Sequence, residues 1–368
     1  MSFNVKPETD MRSLNSRFSI QRRRIATAAG LLTLTLAACD SDPITDPPDQ
    51  TGGARTITVD ASEGWAFVAL DDEARKVTVA DPASSTDWDM AFFATSVMLN
   101  GGDAGPGGVV AYCVCANANL TDEQVGELTA EAGLAAFEAV TAEDIPSDPG
   151  AWETDALVPA LQGWYTYNPV THVVSANPNR VWKLRTANGQ SYAKLHVTGI
   201  EGATQTAMGR VTFEYAVQPA KGAAMGAAQI ATVNVPAGAR VYFSLTRGEV
   251  SDASEWDLLF EGWTIRLNGG VSGSGAAGAV VVDEPFDGIT DASDMGTLYR
   301  GDTYGGAFVA HPWYRYNITG SDHQIWPTYD VYLVKRGSEV YKVQLISYYE
   351  PTTARSRHVT MRYQRLTD

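Results

Sequence analysis

Alternating apolar and polar positions dominate this chain and predict strands. Thr56-Ile57-Thr58-Val59-Asp60-Ala61 and Trp65-Ala66-Phe67-Val68-Ala69-Leu70 are β-branched and aromatic runs with a period near two. The pair returns as Ala231-Thr232-Val233-Asn234-Val235-Pro236 and Val241-Tyr242-Phe243-Ser244-Leu245. A longer phrase makes the repetition explicit. Trp88-Asp89-x-x-Phe92-x6-Leu99-Asn100-Gly101-Gly102 recurs without a gap as Trp256-Asp257-x-x-Phe260-x6-Leu267-Asn268-Gly269-Gly270, 168 residues later. Repetition at that distance indicates two copies of a whole domain, not a short-period solenoid. Each phrase reads as strand, tight turn, strand, because Asn-Gly tolerates positive φ.

The copies meet again near their ends. Trp164-Tyr165-Thr166-Tyr167-Asn168 matches Trp313-Tyr314-Arg315-Tyr316-Asn317. Gly189 and Gly337 each lie five residues before a lysine, Lys194 and Lys342, and Tyr215 and Tyr363 close the copies. This pattern predicts a hairpin turning at glycine, then a last strand. Copy A spans 55–218 and copy B 229–367, with an Ala/Gly-rich join from Gln218 to Ala228. Their middles differ. In A, Asp122 to Val140 predicts one helix, with a Thr121/Gln124 capping box and an apolar face of Val125, Leu128, Leu134 and Phe137. In B, Pro285 to Pro312 reads as loop. The fold class expected is mainly β (β-rich α+β): two tandem homologous domains of mostly antiparallel sheet.

The first 38 residues read as a targeting segment. Five arginines form a basic region, an apolar stretch from Ile25 to Ala38 is too short to span a bilayer, and Leu36-Ala37-Ala38-Cys39 resembles a bacterial lipobox. Cys39 is thus the expected lipidation site, and the Pro-, Asp- and Gly-rich residues 39–54 are a flexible tether. Removal of residues 1–38 takes the net charge from −16 to about −20. So acidic a chain argues against nucleic acid or anionic lipid as partner, leaving the lipid as membrane anchor. Cys113 and Cys115 remain. In a strand, i and i+2 share a face, which reads as a buried thiol pair; a Cys-x-Cys disulfide in an oxidising compartment is the alternative, and a metal site would need further ligands that the sequence does not single out.

No Gly-x-Ser-x-Gly, His-Glu-x-x-His or P-loop occurs, and the Gly-rich stretches, Gly273-Ser274-Gly275-Ala276-Ala277-Gly278 included, do not precede a helix as a dinucleotide fingerprint would, so the chain is not read as an enzyme. The doubled Trp-Asp phrase, the lipobox, Gly107-Gly108-Val109-Val110 and the C-terminal hairpin with Tyr192-Ala193-Lys194-Leu195 and Tyr341-Lys342-Val343-Gln344 together resemble the HmuY-like family of haem-binding lipoproteins. The resemblance covers both copies, where family members usually carry one domain. It implies haem capture at a bacterial cell surface, iron held by two axial side chains, and transfer to an outer-membrane transporter. The alternative is a surface binding module that keeps the fold without haem ligation.

A haem site needs His, Met, Cys or Tyr ligands in an apolar slot, and five histidines are available. His196 and His358 face strand positions that are polar in both copies, which predicts the solvent side. His172 and His323 recur at comparable places after the Trp-Tyr strings and are the leading ligand candidates; His311 is the third. Met98 and Met295 are weaker candidates, since Met more often fills cores. The histidine-ligated type places ligands near Asn168 or Asn317 and in the variable middle. Copy A has no histidine between Cys39 and Thr171, so only copy B has a pair to offer, His311 with His323. Trp88, Trp164, Trp256 and Trp313 recur with the framework and are expected in the core, while Trp263 and Trp326 do not recur and are free to line a pocket.

Overall fold

Each half of each copy supplies six strands. The first half of copy A forms β1 (Arg55–Asp60), β2 (Ala66–Ala69), β3 (Arg75–Val77), β4 (Met90–Phe93), β5 (Ser96–Leu99) and β6 (Val110–Cys113). Its second half forms β7 (Ala156–Val158), β8 (Tyr165–Asn168), β9 (Val173–Ala176), β10 (Val181–Arg185), β11 (Tyr192–Glu201) and β12 (Gly209–Gln218). Copy B follows with β13 (Gln229–Val235), β14 (Arg240–Ser244), β15 (Glu249–Ser251), β16 (Leu258–Glu261), β17 (Thr264–Leu267) and β18 (Gly278–Val282). It ends with β19 (Thr303–Gly305), β20 (Tyr314–Tyr316), β21 (Ile325–Pro327), β22 (Val331–Arg336), β23 (Glu339–Tyr349) and β24 (Ser356–Leu366). This computed structural model describes residues 53–366. The expected signal peptide, Cys39 and the tether up to residue 52 lie outside the described residues. All the ladders between these strands are antiparallel, as the fold class requires.

The two five-stranded sheets are not built copy by copy. One five-stranded sheet runs β1-β24-β23-β22-β6, and its counterpart runs β13-β12-β11-β10-β18. Each therefore joins the first half of one copy to the second half of the other. The cores follow the sheets. Val68, Met90, Phe92 and Leu99 of copy A pack with Trp313, Tyr332, Val343 and Met361 of copy B. Leu258, Phe260 and Leu267 of copy B pack with Trp164, Trp182, Leu195 and Phe213 of copy A. The chain thus forms two lobes of exchanged halves. The first holds β1–β6 and β20–β24, the second β8–β18. Copies A and B divide the sequence; the lobes divide the packing. The chain crosses between lobes twice, and the crossing strands β7 and β19 pair with each other: Val158 opposite Thr303, Leu157 opposite Tyr304, Ala156 opposite Gly305. That register is symmetric about Leu157–Tyr304. The Ala/Gly-rich join connects β12 to its sheet neighbour β13, so it is a turn inside the second lobe.

The doubled phrase is a hairpin followed by a change of sheet. β4 and β5 pair across a turn at Ala94-Thr95, and β16 and β17 across Gly262-Trp263. Asn-Gly-Gly then carries the chain to a strand in the other sheet, rather than turning a hairpin as its Asn-Gly suggests. Each aspartate ties neighbouring strands: the Leu70 N–H donates to Asp89 Oδ2 at 2.6 Å, and the Leu245 N–H to Asp257 Oδ2 at 2.8 Å. Each asparagine closes its loop, Asn100 donating to Trp88 O and accepting from Gly107, Asn268 donating to Trp256 O and accepting from Gly275. At Gly102 and Gly270 φ is +63° and +65°, and a Cβ at either would collide with the carbonyl of Asp155 or Asp302. The four recurring tryptophans are buried, as expected.

The single helix expected over Asp122–Val140 is two. The Thr121/Gln124 capping box forms and starts α1 (Asp122–Gly126), but Thr129 caps a second helix, α2 (Ala130–Ala139), by accepting from Ala132 N–H. Gly126, a poor helix former, marks the break. Phe137 and Val140 pack on Val331, Leu333 and Val340. This covers a sheet face that polar alternation had assigned to solvent. Gln344, the counterpart of His196, is fully buried, with its amide donating to Gly133 O and Tyr329 O. His358 is buried too, and His196 stacks on Phe286 at 4.4 Å between ring centres. Copy B's expected loop contains β19 and one short helix, α3 (Ala307–Ala310). Among the described residues no helix is long and apolar enough to cross a membrane, which leaves strands aside.

Candidate functional site

The second lobe carries a cleft of about 800 Å³, within the range of small-molecule sites. The β8–β9 hairpin forms one wall, with Tyr165, Tyr167 and His172; the β11–β12 turn forms another, with Ile200 and Thr204. Trp263, at the β16–β17 turn, closes it. Trp263 is one of the two tryptophans expected to be free of the framework, and its neighbours explain its fixed place. Its ring stacks on buried Trp164 at 6.0 Å and 19°, lies 5.1 Å from Tyr165, and its Nε1 donates to Thr204 O at 3.1 Å. Three elements of the lobe therefore converge on one indole.

His172 occupies the left-handed region, φ +56°, where the hairpin loop rejoins β9. Asn168 shapes that loop by accepting from the N–H groups of Val170 and Thr171. The result sets His172 Nδ1 2.6 Å from Tyr167 Oη. A hydroxyl can donate or accept. With Nδ1–H donating to the tyrosine oxygen, Nε2 keeps a free lone pair, the arrangement usual for a metal-bound histidine whose other nitrogen is held. The first lobe repeats the pair: His323, at φ +53°, has Nδ1 2.9 Å from Tyr316 Oη and donates its N–H to Asn317. The recurrence of His172 and His323 is legible in the sequence, and so are Tyr167 and Tyr316 within the matched Trp-Tyr-x-Tyr-Asn strings; that each tyrosine meets its histidine is set by the fold. The first lobe has Thr95 where the second has Trp263.

The other ligand candidates lie elsewhere. Met98 is buried beside Phe67 and Trp88 as core. Met295 is half-buried at the start of a 3-10 turn. Trp326 is half-buried and donates to Asp322 Oδ2 at 3.0 Å. His311 stands near Glu153, with Nε2 4.0 Å from Oε1, and near Cys113 and Cys115. Those cysteines are a disulfide, not the buried thiol pair that i, i+2 spacing suggested. β6 ends at Cys113, and Cys115 turns to φ +55°, so the two do not share a strand face. Among the described residues, the only set of three or more His, Cys, Asp or Glu donors close enough to share an ion is Cys113, Cys115 and His311; His323 is not in it.

A family model for the HmuY protein matches residues 61–215. That continuous match runs through both lobes. No curated protein matches the chain. Among solved structures, a candidate HmuY-like heme-binding protein from Bacteroides vulgatus aligns over 89% of this chain and 97% of its own, at 11% identity and a TM-score of 0.31. A candidate lipoprotein from Bacteroides fragilis aligns over 87% and 95%, at 11% identity and a TM-score of 0.29. Superpositions this loose do not equate individual residues. Residues 61–215 of this chain are similar to the HmuY family by sequence pattern.

Proposed function

We propose that this protein is a non-catalytic surface lipoprotein that captures haem or a related tetrapyrrole in the second-lobe cleft. The observation that carries the reading is the meeting of Trp263, Tyr165 and the Tyr167–His172 pair on one cleft. Flat aromatic walls suit a macrocycle, and an imidazole with one nitrogen held suits its iron. In this reading His172 holds the metal while Trp263 and Tyr165 pack on the ring. Residues 1–38 direct export, Cys39 carries the lipid that holds the protein at the outer membrane, and a transporter takes the ligand onward. Copies A and B are a tandem duplication of one HmuY-like domain.

A second reading is a surface binding module that has lost iron ligation. The observation favouring it is that no second histidine and no methionine lines the cleft. Haemin titration of the full chain separates the two. Under the first reading a saturable Soret shift appears, His172→Ala changes its spectrum, and Trp263→Ala weakens binding roughly tenfold, the ~1.4 kcal/mol of a lost aromatic contact. No saturable shift, or a shift indifferent to both substitutions, removes it.

A further inference from the structure

The disulfide lies within reach of a histidine from the opposite copy. The sulfurs of Cys113 and Cys115 and a ring nitrogen of His311 all fall within 4.8 Å of one another. The frame around them is fixed. Cys113 ends β6 opposite Tyr332 of β22. The Tyr332 hydroxyl donates to His311 O at 2.6 Å, and His311 N–H donates to Ala307 O at 2.9 Å. Glu153, whose Oε1 is 4.0 Å from His311 Nε2, exchanges two backbone hydrogen bonds with Ala111 of β6, both 2.8 Å. The second lobe has no such group: Val281 of β18, not a cysteine, stands opposite Trp182 of β10. Cys113, Cys115 and Glu153 belong to copy A and His311 to copy B, so only the exchange of halves brings them together.

We propose that this is a redox-gated site for a borderline-soft divalent cation such as Zn²⁺. Two thiols of an external reductant reduce the Cys113–Cys115 bond, each giving one electron and one proton, and leave as their own disulfide. The two cysteine thiols then release their protons as the cation binds both thiolates and the His311 imidazole. Two thiolates and one imidazole are a known zinc donor set, which leaves a fourth position for water or carboxylate. Glu153 Oε1 stands 4.0 Å from His311 Nε2, beyond hydrogen-bond distance, and adds negative charge beside the imidazole. Because the same two sulfurs form either the disulfide or the metal bonds, oxidation excludes the metal.

The test uses the full chain, reduced with a phosphine and titrated with Co²⁺. One equivalent should bind with sulfur-to-cobalt charge-transfer absorption, and Zn²⁺ should abolish that absorption. The oxidised chain should give none. His311→Ala and the size-conserving His311→Gln should each weaken binding more than about a hundredfold, beyond the usual cost of losing an outer-shell partner, with two titratable thiols retained. Absence of stoichiometric charge transfer in the reduced chain overturns the site. So does wild-type affinity in either His311 variant. Neither result depends on whether the second-lobe cleft binds haem.

Discussion

Two buried aspartates, Asp155 and Asp302, stand where the chain crosses between lobes. Asp155 Oδ2 accepts from Leu99 N–H at 2.8 Å, and Asp302 Oδ2 from Leu267 N–H at 2.9 Å, the matching leucine of the other copy. Burial pushes the Asp155 carboxyl up to about 7 from its ordinary 3.8, against the opposing effect of the Leu99 hydrogen bond. Burial raises Asp302 as well. A carboxyl raised on folding keeps its proton in the folded chain while the unfolded chain has lost its own. The fold then binds more protons than the unfolded state between about 4 and about 7, so stability falls as pH rises through that window, by at most about 1.4 kcal/mol per pH unit per group. Thermal unfolding midpoints should therefore drop from pH 5 to pH 8. Asp155→Asn, which keeps an acceptor for Leu99, should flatten that slope; an unchanged slope would show that Asp155 is ionised in the fold. Neither residue lies in a repeated string, so no sequence signal marked them. Asp89 and Asp257 were marked by repetition alone, and their purpose, holding Leu70 and Leu245 from the next strand, needed the fold.

The matched lysines show how unlike elements solve one packing problem. Lys342 Nζ donates to Phe137 O at 3.0 Å and Val140 O at 2.8 Å, at the end of α2, and sits 4.6 Å from the Phe137 ring centre. Lys194 Nζ donates to Phe286 O at 2.7 Å and Ile289 O at 3.1 Å, in a loop, and sits 4.3 Å from the Phe286 ring centre. A helix in one lobe and a short turn in the other thus end on the same ammonium group. Burial lowers the Lys342 pKa, yet two carbonyl acceptors and a ring face hold the cation there. Lys342→Met should remove about 2–4 kcal/mol in urea unfolding, since two buried carbonyls lose their donor; a loss under about 1 kcal/mol would show that water replaces it. The equal spacing of the lysines was plain in the sequence. Their burial was not, because alternation along β11 and β23 indicates two faces without showing that α2 covers the polar one.

At the scale of the molecule, the halves of the two copies are interlocked. β1 and β6 of copy A flank the sheet of copy B's last strands, and β13 and β18 of copy B flank the sheet of copy A's. Separating the copies would open both cores to water. Cleavage within the exposed join, at Lys221-Gly222, should accordingly leave two fragments that co-elute at the size of the intact chain and part only in denaturant. Elution as two separate species would mean that each copy closes on itself. The sequence by itself marked the framework strands, the repeated phrases, the hairpin turns at Gly189 and Gly337 and the tryptophan core, because periodicity and turn chemistry are local properties of the chain. It also marked His172, His323 and Trp263. Only the tertiary structure decided which half pairs with which, that Tyr167 meets His172 beside Trp263, and that His311 lies against Cys113 and Cys115. Equivalent strands in two similar copies carry nearly equivalent edges, so local pattern cannot choose between partners. In the folded chain the crossing segments β7 and β19 pair with each other, which ties the exchanged halves together.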